Sequence, residues 1–407
     1  MDMSDWFTRD ANSIMSTYSR LPVAIEKGEG SYLIDVNGKK YLDLFTGLAV
    51  NLLGHSHPKI VQTLKEQGEQ FLHISNVFLN KPAITLAEKL IKQSIEGKVF
   101  YTNSGAEATE AALKLIHKHS VAAGENRKGV IVLKKSFHGR TLGAIKLTRQ
   151  PGVYQDFPTT DTPVYELEPE NLEMLKATIE QHKPAALIME PILGSGGILP
   201  LSKGFLEGAE ALCRKNGVLF CMDEIQTGIG RTGSFFAYQQ TNVEPDLILF
   251  AKGVGGGLPL GGIIVAKQYA DLFKPGDHGT TFAPSPLSAA LGNTVLEVLL
   301  EDGQMEKSKE TSDKLWTELA QLKETYSDLV LGIRGKGMMV GLVLSAEAPV
   351  VKDVQKRLLE KGFMVDVTQQ TIIRLLPPLT ISTAEIDLLI SAIKEEFDRL
   401  KEEGLEA

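Results

Sequence analysis

Cysteine is nearly absent from this chain. Cys213 and Cys221 are the two that 407 residues contain. That excludes a disulfide-stapled secreted scaffold and points to a reducing, cytoplasmic setting with both thiols as small buried hydrophobes. No apolar run approaches the ~20 residues that span a bilayer, so no membrane partner is expected. The opening Met1-Asp2-Met3-Ser4-Asp5 is acidic with no apolar stretch behind it, unlike a signal peptide. Positive charge is also in deficit, with 43 Lys+Arg against 51 Asp+Glu and a formal net charge of -8. Nucleic-acid binding needs clustered Lys and Arg, so nucleic acid is not an expected partner. Metal-ligand spacing is missing too: His55 and His57 have no nearby Cys and no suitably spaced third ligand, and read as loop histidines.

What is present is chain enough for two or three domains and an ordinary globular composition, 43% hydrophobic and 23% charged. Ser31–Asp35 and Lys40–Leu44 alternate apolar residues around Asn37-Gly38, a hairpin signature. The spacing then predicts helices over Pro82–Lys92, Ala106–His119, Asn171–His182 and Gly204–Asn216. Between them fall strands at Val99–Tyr101, Gly129–Leu133, Ala185–Met189, Val218–Met222 and Leu247–Phe250. This alternation implies an α/β fold whose mostly parallel sheet is covered on both faces. After the glycine-rich tract Gly253–Gly262, long helices at Leu287–Leu300 and Met305–Tyr326 lead into a smaller α+β pattern. Its strands are expected near Val330–Arg334, Met338–Leu344, Phe363–Val367 and Ile372–Leu376, with helices at Val350–Lys361 and Ala384–Glu402. The expected division is an N-terminal segment, 1–50, packing with the small domain, a large domain over 51–297, and a small domain over 298–407. Lys401–Ala407 reads as a short frayed tail.

Ligands of open parallel sheets gather at the carboxyl ends of strands. Four such ends carry polar residues, Asn103-Ser104-Gly105-Ala106, Glu190-Pro191, Asp223-Glu224 and Ala251-Lys252-Gly253, which argues for one shared crevice. Ser104-Gly105-Ala106 opens a helix, where free N–H groups suit an anion; Ser104 with Glu107 also reads as a capping box. Asp223 closes an apolar run and needs a partner to offset desolvation, such as Arg231. Lys252, partly buried at a strand end, can shed its proton and act as a nucleophile or Schiff-base amine, though a surface lysine is the commoner case. Gly228–Gly233 matches G-x-G-x-x-G. No amphipathic helix follows it, and no acidic residue closes a following strand, which argues against a dehydrogenase. Gly253–Gly257 lacks the G-K-[ST] of a nucleotide P-loop.

In chain order, several tracts resemble the class III (ω-amino acid) aminotransferases, pyridoxal-phosphate enzymes of fold-type I, from about Tyr18 to Ala392. They are Asp43-Leu44-Phe45-Thr46-Gly47, Leu53-Gly54-His55-Ser56-His57-Pro58, Asn103-Ser104-Gly105-Ala106-Glu107-Ala108 and Ser136-Phe137-His138-Gly139-Arg140-Thr141. Asp223-Glu224-Ile225-Gln226-Thr227-Gly228, Lys252-Gly253, Thr280-Thr281-Phe282 and Arg374-Leu375-Leu376-Pro377-Pro378-Leu379 complete the series. His138-Gly139-Arg140-Thr141, His73-Ile74-Ser75-Asn76, Arg231-Thr232-Gly233, His278-Gly279 and the last tract are most similar to the acetylornithine aminotransferase group.

The resemblance implies a large domain with a mostly parallel, seven-stranded type of sheet plus a smaller α+β domain. It implies that Lys252 bonds pyridoxal 5'-phosphate as a Schiff base and shuttles protons, while Asp223 pairs with the pyridine nitrogen. Gln226 would bond the phenolic oxygen, Phe137 and Ile225 would cover the two ring faces, and Ser104, Gly105 and Ala106 would hold the phosphate. Thr281 would reach the phosphate of a neighbouring subunit, implying a homodimer with shared active sites. Arg140, Arg374 and Glu190 would serve the small-molecule substrates, an amino donor such as N-acetylornithine and the acceptor 2-oxoglutarate. Ornithine, γ-aminobutyrate, putrescine, an aminomutase reaction or cofactor binding without catalysis remain as other readings. Three tracts depart from the family. Ser195 stands where a glutamate usually masks Arg374, implying an altered balance of half-reactions or a non-standard amino donor. Ala283-Pro284-Ser285-Pro286 replaces G-G-N-P, and Leu79 replaces a common aromatic.

Overall fold

Three strands, β1 (Ile25–Glu29), β2 (Tyr32–Asp35) and β3 (Lys40–Asp43), open the sheet structure in a computed structural model describing residues 3–404. Then come β4 (Gly97–Thr102), β5 (Val130–Leu133), β6 (Val164–Leu167) and β7 (Ala186–Met189). A small hairpin, β8 (Ile192–Leu193) with β9 (Leu199–Pro200), precedes β10 (Leu219–Asp223), β11 (Leu247–Phe250) and β12 (Gly261–Ala266). Last are β13 (Val330–Lys336), β14 (Met339–Leu344), β15 (Phe363–Met364), β16 (Asp366–Thr368) and β17 (Ile372–Leu375).

The large sheet has the order β4-β12-β11-β10-β7-β5-β6. Only β12 runs against the others. Successive side chains of a strand face opposite ways, and here both faces are apolar. On β10, Leu219 and Cys221 enter one core while Phe220 and Met222 enter the other. On β11, Leu247 and Leu249 split from Ile248 and Phe250 in the same way. Each such fully buried side chain contributes about 1.5–3 kcal/mol. The helix Gly105–Ala122 covers one face through Ala108, Ala111, Leu115 and Ile116. The helices Lys203–Lys215 and Pro286–Leu300 cover the other. Cys213 and Cys221 are free, buried and in different cores.

A second sheet, β1-β2-β3-β15, joins the two ends of the chain: β15 lies parallel to β3, with Phe363 opposite Leu42. The third, β13-β14-β17-β16, is antiparallel. No helix among the described residues is long and apolar enough to cross a membrane.

Several segments differ from expectation. β1, β6, the hairpin strands β8 and β9, and β12 were not anticipated. β12 starts within the glycine-rich tract because its glycines serve close approach: a Cβ on Gly262 would meet the Phe100 carbonyl oxygen at 2.4 Å. The single strand expected over Phe363–Val367 is two, since buried Val365 separates two residues serving β3 from three, Asp366–Thr368, serving β17. The last helix runs Thr383–Glu403 and closes on Gly404 at φ 65°, so Lys401–Glu403 are helical and not a frayed tail. Residues 405–407, like Met1 and Asp2, lie outside the described residues.

The β4–β12 contact is testable at Gly97, where a Cβ would lie 1.9 Å from the Val265 carbonyl oxygen. Gly97→Ala is expected to cost about 2 kcal/mol, seen as a lower urea midpoint. An unchanged midpoint would contradict this pairing.

Candidate active site

β4, β5, β7, β10 and β11 end at the same edge of the large sheet, and a cavity of ≈ 710 Å³ opens there. That volume suits a small molecule. At the end of β4, Ser104 caps the helix Gly105–Ala122, its Oγ accepting from Glu107 N at 3.2 Å. Glu107 Oε2 accepts from the Asn103 backbone N–H and not from Ser104, so the expected reciprocal capping box is displaced by one residue. The N–H groups of Gly105 and Ala106 have no partner within a helix's first turn by geometry. A Cβ on Gly105 would meet Ile225 at 2.9 Å, so glycine keeps this cradle open.

Asp223, the last residue of β10, is 3% exposed. His138 Nδ1 donates to its Oδ2 at 2.7 Å, and Ile225 N donates to its Oδ1 at 3.1 Å. The proposed Arg231 partner is elsewhere. Arg231, fully buried, donates from Nη1 to the carbonyl oxygens of Met338 and Pro377, and burial lowers its pKa to about 9. The G-x-G-x-x-G tract thus carries a clamp on the C-terminal part of the chain. His138 was not assigned a role from sequence. Its place in S-F-H-G-R-T, between Phe137 and Arg140, was the available signal.

Lys252 follows β11 with φ 53°, a left-handed conformation rare outside glycine. Gly253 comes next because a Cβ there would meet Leu52 Cδ1 at 2.2 Å. The Lys252 amine has its pKa lowered to about 8, first by burial and then by the charge of Arg374; Asp223 and Glu190 oppose this. Glu190 is pushed up to about 7 by burial. Its oxygens accept from Phe137 N at 2.9 Å and Gly194 N at 3.1 Å, so it ties two cavity-lining loops together. Glu224 turns away from the cavity to accept from Ala237 N and Tyr238 N.

Of the residues expected at the site, Ser104, Gly105 and Ala106, then Phe137 and Arg140, then Glu190, Asp223, Ile225, Gln226 and Lys252 line this one cavity. Arg140 sits 5.8 Å from the Phe137 ring centroid. Thr281 is exposed and does not line it. Arg374 does not line it either, and it is not left without a carboxylate by Ser195: Asp366 holds its Nε at 2.8 Å and its Nη2 at 2.6 Å. His55 Nε2 contacts Asp43 Oδ2 at 2.8 Å. No group of three or more His, Cys, Asp or Glu among the described residues could hold a metal.

The lining fits pyridoxal 5'-phosphate. The open helix start suits its phosphate, and Gln226 Oε1 is buried without a partner. A carboxylate and an amine with a depressed pKa face the same space. This fold and this edge therefore belong to a class of enzyme that forms a Schiff base between a lysine and a phosphate-bearing aldehyde.

Residues 14–397 match the family described as Aminotransferase class-III, and the chain belongs to that family of pyridoxal-phosphate-dependent aminotransferases. It is 39% identical to the acetylornithine aminotransferase of Clostridium acetobutylicum over 94% of this chain and 98% of that one. It is likewise 39% identical to the Methanocaldococcus jannaschii protein of the same name, over 98% and 100%. Among solved structures, ornithine aminotransferase from Toxoplasma gondii superimposes with a TM-score of 0.92 at 29% identity, covering 99% of this chain and 96% of that one. Acetylornithine aminotransferase from Elizabethkingia anophelis gives 0.88 at 30%, covering 98% and 99%.

Gly105→Ala should press Ile225 into the cavity and crowd the helix start. Its affinity for pyridoxal phosphate, titrated by absorbance, is expected to fall about tenfold, the effect of a modest overpacking penalty. Unchanged affinity would remove this helix start from the cofactor site.

Proposed function

We propose that this chain transfers the terminal amino group of N-acetylornithine to 2-oxoglutarate, giving N-acetylglutamate semialdehyde and glutamate, a step of arginine biosynthesis. The carrying observation is near-full-length similarity at 39% identity to relatives named acetylornithine aminotransferase. The structural neighbours named ornithine aminotransferase keep a second reading, ornithine as donor, in play.

Bound pyridoxal phosphate supplies an aldehyde that carries the amino group and a ring that takes up electrons. Lys252 would hold the cofactor covalently and move the proton at the substrate carbon. A pKa lowered to about 8 suits it to taking up and returning protons near neutrality. Asp223 would face the ring nitrogen, oriented by His138. Gln226 would bond the phenolic oxygen, and Phe137 and Ile225 would flank the ring. Arg140, exposed at the cavity, would take a substrate carboxylate through its planar fork. Glu190 would serve the substrates indirectly, by holding the loops of Phe137 and Gly194.

The proposed assembly is a homodimer. Val77, Phe78, Leu79 and Phe282 are exposed apolar residues, and Asn76 Nδ2 ties their loops by donating to the Thr280 and Ala283 carbonyl oxygens. A second copy covering this patch would place Thr281 beside the partner's cofactor phosphate. The proposed compartment is the cytoplasm, which would keep the two free thiols reduced.

The test is a half-reaction. Cofactor-loaded protein is mixed with N-acetylornithine, ornithine, γ-aminobutyrate or putrescine without keto acid, and the visible band is followed. N-acetylornithine should bleach it fastest and 2-oxoglutarate restore it, while Lys252→Ala should lack both the lysine-linked band and turnover. Faster bleaching by another amine would reassign the donor.

A further inference from the structure

Arg374 lies on β17, 6% exposed, opposite Asp366 of β16 and Gly341 of β14. One carboxylate oxygen, Asp366 Oδ2, takes both Nε and Nη2 of the guanidinium. The third nitrogen, Nη1, is buried and has no partner. The Asp366 side chain is 23% exposed against 7% for Arg374, so the carboxylate can move into water while the guanidinium stays. A buried cation stripped of its carboxylate needs another anion.

Ser195 cannot supply that anion. It lines the cavity, and its carbonyl oxygen accepts from Thr368 Oγ1 at 3.2 Å and Gln369 Nε2 at 2.8 Å. Those bonds fasten the Ser195 loop to the strand carrying Asp366. The charge of Arg374 also reaches Lys252, whose pKa it helps to lower. The cation is therefore within electrostatic range of the reacting groups.

We propose that Asp366 is a releasable latch on Arg374, neutralising it while the amino donor reacts and yielding it to the second carboxylate of a dicarboxylate substrate. This rests on the aminotransferase reading above and makes Asp366 a specificity-determining, positioning residue. A dicarboxylate then competes with Asp366, so its apparent affinity is reduced by the fraction of protein with the latch open.

The test titrates cofactor-loaded protein with glutarate, an unreactive dicarboxylate, following the visible band. Asp366→Asn is expected to bind glutarate about tenfold tighter and to raise the ratio of kcat/KM for 2-oxoglutarate over that for the amino donor. Asp366→Glu should stay near wild type. Ser195→Glu added to Asp366→Asn should restore weaker glutarate binding. Unchanged or weaker glutarate binding by Asp366→Asn would overturn the latch, leaving Asp366 a structural brace. Wild-type crystals with glutarate provide a readout that needs no variant. Glutarate on Arg374 with Asp366 displaced supports the latch; an intact Asp366–Arg374 pair beside bound glutarate overturns it. A wild type inert to N-acetylornithine that still shows this displacement sinks the donor assignment and leaves the latch standing.

Discussion

Keeping charge out of water at one edge of a sheet governs this molecule. Asp223, Glu190 and Lys252 are brought there by different strands, Arg374 acts on Lys252 from a strand of another sheet, and each loses hydration. Burial disfavours a charged group unless a partner compensates. His138 answers Asp223, Asp366 answers Arg374, and backbone N–H groups answer Glu190. Lys252 receives no such fixed partner. It feels burial and Arg374 on one side and two carboxylates on the other, so its proton is loosely held. That imbalance is what an amine needs to serve as nucleophile and base.

The rest of the fold ties the chain's N-terminal and C-terminal parts together beside this edge. The N-terminal segment and the stretch after β17 are joined by backbone bonds, Leu376 N to Leu44 O and Leu379 N to Leu52 O, each 2.7 Å. Thr46 Oγ1 donates to the Leu376 carbonyl oxygen at 2.7 Å. Arg231 grips the Met338 and Pro377 carbonyl oxygens from the large sheet's side. The Arg374 strand is thereby fixed against the strand ends that carry Asp223 and Lys252. Side chains held by such a frame lose little freedom when substrate binds.

Local pattern made much of this legible. Leu247–Phe250 is a strand over the residues its apolar run indicates, and four polar strand ends do converge on one cavity. What escaped depends on distant pairing. Gly261 and Gly262 look like loop residues until β4 and β11 close around them. Phe363–Val367 reads as one strand because no local signal says that Met364 and Asp366 serve different sheets. Asp223 needed a partner, and sequence reasoning supplied a nearby arginine; the actual partner, His138, lies 85 residues away. Ser195 carries no charge to neutralise Arg374, and a structural ion pair was the plain alternative for this arginine, with no local signal to say which carboxylate would make it. Asp366 covers it through antiparallel register, which only the folded sheet defines.

The ionisation of Lys252 in cofactor-free protein is the most direct measurement. Competitive acetylation from about pH 6.5 to about pH 11.5, bracketing the ordinary lysine value, with the Lys252 peptide quantified by mass spectrometry, reports its neutral fraction. A midpoint near 8, rising when Arg374 is replaced by alanine, is the expected result. A midpoint near the ordinary lysine value of about 10.4, indifferent to Arg374, would contradict the balance of burial and charge on which this site is built.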